Sequence, residues 1–278
     1  MKGGQATFRP VEQIIALAQR MRNLAPAVDD ACVFRGDRAE VVPVTIILLR
    51  FHTDGGPLIW SEPVHAELGH CFGQIGADRA NRVIVLTGTG DQWCAEIDFA
   101  SFSLNTPEEW DHTFYDGRKL LMNLLDIEVP VISAINGPAR MHPEIPVMSD
   151  IVLAADTALF QDGPHFVAGI VPGDGAHIVW THLLGQNRGR YFLLMNQELC
   201  AADAFAAGVV GEVLPPDRVL DRAMEIARVF ADKPDLALRY SRVVLTQRFK
   251  RLMAEGLSLG LGLEALAAID LLGRMKQE

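Results

Sequence analysis

VPVISAINGPARMHPEIPVMSDIVLAAD, residues 129–156, places two short β-branched apolar runs on either side of a proline-rich turn. The runs VPVISAIN (129–136) and DIVLAAD (150–156) have the composition of buried strands. Between them Asn136-Gly137 opens a backbone turn, and a histidine and a glutamate flank Pro143. Similar runs occur at VVPVTIILLRF (41–51) and RVIVLTG (82–88), with helical patterns at VHAELGHCFGQI (64–75) and TFYDGRKLLMNLLDI (113–127). Strands alternating with helices predict an α/β fold with largely parallel pairing. Beyond Pro216 the pattern is almost wholly helical. The expected division is an N-terminal extension with an amphipathic helix (1–41), an α/β core (42–215) and a C-terminal helical segment (216–278). That last segment is expected to pack on the core or on a neighbouring subunit.

Composition excludes several classes of function. The chain has 278 residues, 49% hydrophobic and 22% charged, within the range of globular enzymes and binding proteins. A formal net charge of −10 without a basic patch argues against nucleic acid. No segment contains the roughly 18–20 uninterrupted apolar residues that span a bilayer. The N-terminal apolar residues fall at helical spacing and are interrupted by Glu12, Gln13, Gln19, Arg20 and Arg22, unlike a signal peptide. Cys32, Cys71, Cys94 and Cys200 form no C-x-x-C pair and read as reduced core thiols, so we expect a cytoplasmic protein. No metal-binding histidine spacing occurs, and TGTGD (87–91) lacks the Gly-Lys-Ser/Thr ending of a P-loop. Nothing calls for a cofactor.

Three blocks, RVIVLTGTGDQWCAEIDF (82–99), PVISAINGPARMHPEIPVMSDIVLAADTALFQD (130–162) and GIVPGDGAH (169–177), occur in an order and spacing that resembles the crotonase, or enoyl-CoA hydratase, superfamily. LLGQNRGRYFLLMNQELCAADAFAAGVVGEVLP (183–215) fits the same pattern, and the resemblance runs from about residue 42 to the end. It implies a crotonase-like spiral of ββα units, an active site between two parallel layers, and trimers or dimers of trimers.

The departures from the family bear on the chemistry. Hydratases carry a glycine tract and then a catalytic glutamate after Asn-Gly. Here Met141, His142 and Pro143 replace the tract, and Ile145 stands at the glutamate position. His165 occupies the position of the second catalytic glutamate, so ordinary hydration of an enoyl-CoA is not expected. Ala95-Glu96 replaces the Ala-Gly of the first oxyanion-hole loop. That glutamate either obstructs a CoA thioester or lies solvated on a shifted loop. Within the superfamily, HPEIPVMSD, QDGPHF and VPGDGAH are most similar to 6-oxocamphor hydrolase and related β-diketone hydrolases. These cleave a carbon–carbon bond between two carbonyls without CoA.

Such a retro-Claisen cleavage needs a base for water, donors for the attacked oxygen, and a proton for the released enolate. Histidine suits the first task, having an unperturbed pKa of about 6.5. The resemblance implies that His165 and Asp174 form a base dyad. The other reading is a satisfied loop histidine plus an aspartate capping the following helix. The resemblance also implies that His142 donates to a ketone oxygen, the turn around it fixed by Pro138, Pro143 and Pro146. It places the Trp60 indole N–H in the pocket as a second donor, and Glu264 within reach of the site. Glu144 is expected to orient His142 or to be solvated, and Phe102 to line an apolar pocket or pack in the core. His65 is a weaker candidate, one turn into the helix after Trp60. The expected partner is a small cyclic β-diketone, opened to a keto acid. The alternatives are an acyl-CoA enzyme of the same superfamily, dehalogenase-like or thioester-hydrolysing with Asp174 as nucleophile, and a non-catalytic member serving binding or assembly.

Overall fold

Apolar residues on both alternations of three successive strands fix how the layers stack. A computed structural model describes residues 32–35, 38–41 and 45–275; the amphipathic helix expected before residue 32 lies outside them. A small hairpin, β1 (Cys32–Arg35) and β2 (Arg38–Val41), precedes the main sheet. That sheet holds β3 (Thr45–Arg50), β5 (Asn81–Thr87), β7 (Val131–Ile135), β8 (Ile151–Ala155) and β11 (Glu212–Leu214). Its order is β11-β8-β7-β5-β3, with every pairing parallel. Val83, Val85, Ile132, Ala134, Leu153 and Ala155 face one core, closed by Val219, Ala223, Ala227 and Ala231 of α7 (Val219–Ala231). The alternate positions, among them Ile84, Leu86, Val131, Ile135 and Val152, face the larger core on the other side. Burial on both faces is why these strands read as continuous apolar runs.

A second layer is built from strands too short for any periodicity to show. β4 (Leu58–Trp60) pairs in parallel with β6 (Cys94–Ile97), and β9 (Leu159–Phe160) pairs antiparallel with β10 (Leu199–Cys200). Isolated bridges from Ala139 to Cys94 and to Phe160 join the two pairs. Helices α1 (Glu62–Ala77) and α2 (Pro107–Asp126) pack together beside this layer. A capping box starts α2: the Thr106 hydroxyl accepts from the Glu109 N–H and the Glu109 carboxylate returns to the Thr106 N–H. After β7 come the single-turn α3 (Glu144–Val147), then α4 (Ala176–Leu183), α5 (Gln186–Leu194) and α6 (Ala201–Ala206).

The chain ends in the long helix α8 (Asp235–Met275), which runs over α2 and α4. By length and composition α8 could cross a bilayer, although the sequence shows no uninterrupted apolar run of that length. Two buried arginines dock it instead against the ends of the core elements. Arg242 donates to the carbonyls of Leu124, Leu125 and Ile127 and meets Asp150 at 2.6 Å. Arg239 donates to the carbonyls of Arg79 and Asn81. Each donor supplies a carbonyl that α2 or a loop leaves unpaired. Cys71 and Cys94 are buried free thiols that burial pushes up to about 12, and Cys200 is half-buried and free.

Arg242→Ala strips three carbonyls of this donor at once, while Asp150 keeps the Val131 N–H. A buried carbonyl left without its donor costs about 1–3 kcal/mol, so the three together cost about 3 kcal/mol or more. Urea unfolding of the variant should show a loss of that size, and a loss under about 1 kcal/mol would mean that α8 is docked by its apolar contacts alone.

Candidate active site

The turn after β7 is held by contacts that admit no other residues. Asn136 Oδ1 accepts from the Gly88 N–H at 3.1 Å, while its Nδ2 donates to the carbonyls of Gly90 and Gln92. A Cβ on Gly137 would lie 1.9 Å from the Asp91 carbonyl oxygen, so only glycine fits. The chain then runs beside β6, with the Arg140 N–H on the Cys94 carbonyl, and delivers His142. His142 has φ +49°, the left-handed region that costs a non-glycine residue about 1 kcal/mol or more. The turn around Pro143 therefore holds an imidazole in a backbone conformation it would not choose.

Two carboxylates meet that imidazole. Its Nδ1 lies 2.9 Å from Glu144 Oε1 and 2.9 Å from Asp174 Oδ2. The hydrogen bond is aligned with Glu144, so Asp174 acts on the ring by charge. Nδ1 is thus engaged, and Nε2 is the nitrogen left for the cavity. Burial works against a charged ring here, but Glu144 and Asp174 outweigh it and raise His142 to about 10. The Trp60 indole lies tilted over it, ring centroids 4.0 Å apart, and its buried N–H has no partner among the described residues.

His165 and Asp174 come together through a reversal. A 3₁₀ turn at Phe166–Ala168 and Gly169 at φ +85° fold the chain back, with the Ile170 N–H on the His165 carbonyl. A Cβ on Gly173 would fall 2.1 Å from the Gly260 carbonyl oxygen, so α8 passes against the loop. Glu264, one turn beyond Gly260, is thereby brought to the site. His165 Nε2 lies 3.4 Å from Asp174 Oδ2 and 3.8 Å from Glu264 Oε1. The acid at the other ring nitrogen is one that sequence reasoning missed: Asp162 Oδ1 meets His165 Nδ1 at 2.6 Å. Asp174 thus stands beside His165 as expected, but at Nε2 and nearer still to His142. It caps no helix by an ideal contact either, its Oδ1 lying 3.4 Å from the Ala176 N–H.

Burial opposes charge on His165, yet Asp174, Asp162 and Glu264 together raise its pKa well above 6.5. Burial would raise Asp174, but His165 and His142 hold it well below the carboxylate range. Burial pushes Glu264 up to about 8, with His165 opposing and Asp174 adding to the rise. Glu144 sits at about 6, raised by burial and by Asp174 against the pull of His142. At neutral pH Glu264 is therefore mostly a neutral acid beside a charged pair.

Trp60, His65, Phe102, His142, His165, Asp174 and Glu264 line one small cavity of about 60 Å³ that opens to solvent. Apart from Thr113 its remaining wall is apolar, with Ile97, Phe99, Leu104, Trp110 and Leu261. His65 is buried and gives its Nε2 to the Thr113 carbonyl at 2.9 Å; burial lowers its pKa, so it stays neutral. Glu144 is not part of the wall. It is fully buried behind His142, which excludes the solvated reading. Glu96 is exposed, so it obstructs nothing in the cavity and the solvated alternative holds. Two sets, His142 with Glu144 and Asp174, and His165 with Asp174 and Glu264, are close enough to hold a cation. The spacing search missed them because their members come from separate loops and α8.

Residues 60–263 match the enoyl-CoA hydratase/isomerase family. Short-chain-enoyl-CoA hydratase of Clostridium acetobutylicum is 28% identical over 65% of this chain and 70% of its own. The 1,2-epoxyphenylacetyl-CoA isomerase of Escherichia coli is 28% identical over 64% of this chain and 70% of its own. Among solved structures, a β-diketone hydrolase from the cyanobacterium Anabaena, bound to (S)-3-oxocyclohexyl acetic acid, is 50% identical. It covers 87% of this chain and 95% of its own, with a TM-score of 0.81. An enoyl-CoA hydratase/isomerase from Mycobacterium paratuberculosis shares the fold at 23% identity and TM-score 0.76, covering 87% of this chain and 94% of its own.

The raised pKa of Glu264 has a consequence for stability. The folded state binds its proton more tightly than the unfolded chain does. Its contribution is thus fully present below about 4.5 and lost as pH rises through about 8. Glutamine at this position never ionises. Glu264→Gln should melt higher than the wild type above pH 8, and the difference should shrink towards pH 5. A difference independent of pH would show that Glu264 is not buried as a proton-holding acid.

Proposed function

The chain belongs to the enoyl-CoA hydratase/isomerase family, and within it we propose a cofactor-independent hydrolase that opens cyclic β-diketones to keto acids. The observation that carries this reading is the pair of buried imidazoles on one cavity wall, His142 and His165, where a hydratase needs a close backbone and two glutamates. The 50% identity to a β-diketone hydrolase supports it, as does the apolar remainder of the cavity.

The residues assign themselves to the three demands of the reaction. Water attacks one ketone carbon as His165 Nε2 takes its proton. His142, charged at neutral pH, donates from Nε2 to the attacked oxygen, and the unpartnered Trp60 N–H is a second donor. As the tetrahedral oxyanion collapses, the bond from the attacked carbon to the carbon between the two carbonyls breaks, and its electrons pass into the second carbonyl as an enolate. Glu264, neutral because burial raises it, can return a proton to the enolate carbon. The product is a ketone and a carboxylic acid in one opened molecule. Self-association as a trimer or dimer of trimers forms part of the proposal, and the apolar residues Leu236, Tyr240, Val244 and Leu245 exposed on α8 favour it.

A second reading, an acyl-CoA enzyme using Asp174 as nucleophile, is favoured by the names of the curated relatives. The contacts of Asp174 with two imidazoles and the loss of the glycine tract speak against it.

Loss of ultraviolet absorbance from monocyclic and bicyclic β-diketones tests the proposal. Wild type should consume a dione and release one keto acid, with or without a chelator. His165→Ala should lose about 10²–10⁴-fold in turnover while remaining folded. His165 must be neutral to act as base, so kcat/KM should rise with pH along a limb above 6.5. No turnover of any dione, together with saturable acyl-CoA binding, would overturn the reading in favour of the second.

A further inference from the structure

We propose that Asp162 is the positioning residue that orients His165, holding Nδ1 so that Nε2 is the nitrogen turned to the substrate. The proposal rests on His165 being the base of the hydrolase. It assigns to Asp162 the task that sequence reasoning gave to Asp174.

The geometry is specific to this pair. Asp162 Oδ1 lies 2.6 Å from His165 Nδ1, a short charge-assisted contact, and both side chains are buried. Asp162 Oδ2 has no partner among the described residues, so none of them competes for the carboxylate. The four-residue stretch Asp162-Gly163-Pro164-His165 sets the register. Gly163 donates its N–H to the Arg140 carbonyl at 2.9 Å, and a Cβ there would lie 2.8 Å both from that oxygen and from Met141 Cε. The turn carrying Asp162 is therefore wedged against the strand that delivers His142. Displacing one histidine's support would disturb the other's.

Asp174 cannot perform this role from where it stands. It faces Nε2 at 3.4 Å and is closer still to His142 at 2.9 Å, so it is a counter-charge shared by two rings. A carboxylate behind a histidine base fixes the ring tautomer and stabilises the imidazolium that forms. The groups that set the charge of His165 are Asp162 on its own turn, Asp174 from the loop before α4, Glu264 from α8, and the His142 ring with centroid 6.1 Å away. Of these only Asp162 lies on the Nδ1 side.

Asp162→Asn keeps an oxygen for the Nδ1–H and removes the charge. It should lower kcat by about 10²–10⁴-fold with little change in KM, because Asp162 is not part of the cavity wall. The acid limb of kcat/KM should move to lower pH, since a carboxylate favouring the imidazolium is gone. An unchanged kcat and an unmoved limb, with only the melting temperature reduced, would make Asp162 merely structural and overturn the proposal. A readout independent of turnover separates this failure from failure of the hydrolase reading. In ¹⁵N-histidine NMR the wild type should show a far-downfield Nδ1–H resonance that vanishes in His165→Ala and moves upfield in Asp162→Asn. A neutral His165 protonated on Nε2 in the wild type would overturn the assignment even if the variant fails to fold.

Discussion

Two imidazoles, His142 and His165, share one buried cluster with Glu144, Asp162, Asp174 and Glu264, and the rest of the site follows from keeping that cluster near electrical balance. Unpaired, any of these carboxylates would cost several kcal/mol to desolvate. The protein answers in two ways. Asp174 is ionised between two rings that are themselves charged, and Glu264 keeps its proton up to about pH 8. Neighbouring environments push chemically similar groups apart, so Glu264 keeps a proton over a pH range in which Asp174 has lost its own. Stability and reactivity therefore depend on one set of contacts.

The fold supplies that set through close backbone approaches. Gly137 against the Asp91 carbonyl, Gly163 against that of Arg140, and Gly173 against that of Gly260 each bring a segment nearer than a side chain allows. They place the turn after β7, the turn after β9 and helix α8 around one cavity. In a relative that binds thioesters through backbone N–H groups, the tract after Asn-Gly must stay free of side chains. Here the tract carries His142 instead, at φ +49°. On the proposed reading a backbone donor is thus exchanged for a side-chain donor whose charge the neighbouring carboxylates set.

The main strands were legible because burial on both faces leaves them apolar throughout, as in Val83–Leu86 and Val131–Ile135. β4, β6, β9 and β10 were not, since two to four residues carry no period. His142, His165, Asp174 and Glu264 were singled out through a family resemblance, and composition alone would not have joined them across four segments. Asp162 escaped because Asp-Gly-Pro reads as ordinary turn chemistry. Its spacing of three from His165 was the available signal. Asp174 was paired with His165 through the resemblance, whereas folding places it between two histidines. Glu144 was left open between solvent and His142, and only the packing of α3 decides for His142. Which carboxylate serves which nitrogen depends on backbone direction at each turn, and no spacing encodes that.

The central claim is that solvent water, activated by His165, attacks the diketone directly, with Asp174 as counter-charge rather than nucleophile. A single turnover in H₂¹⁸O, with enzyme in excess over a cyclic β-diketone, tests it most directly. The account predicts one solvent oxygen in the carboxylate of the first keto acid released and no label in the protein. Unlabelled first product, with ¹⁸O recovered in the peptide containing Asp174, would contradict it.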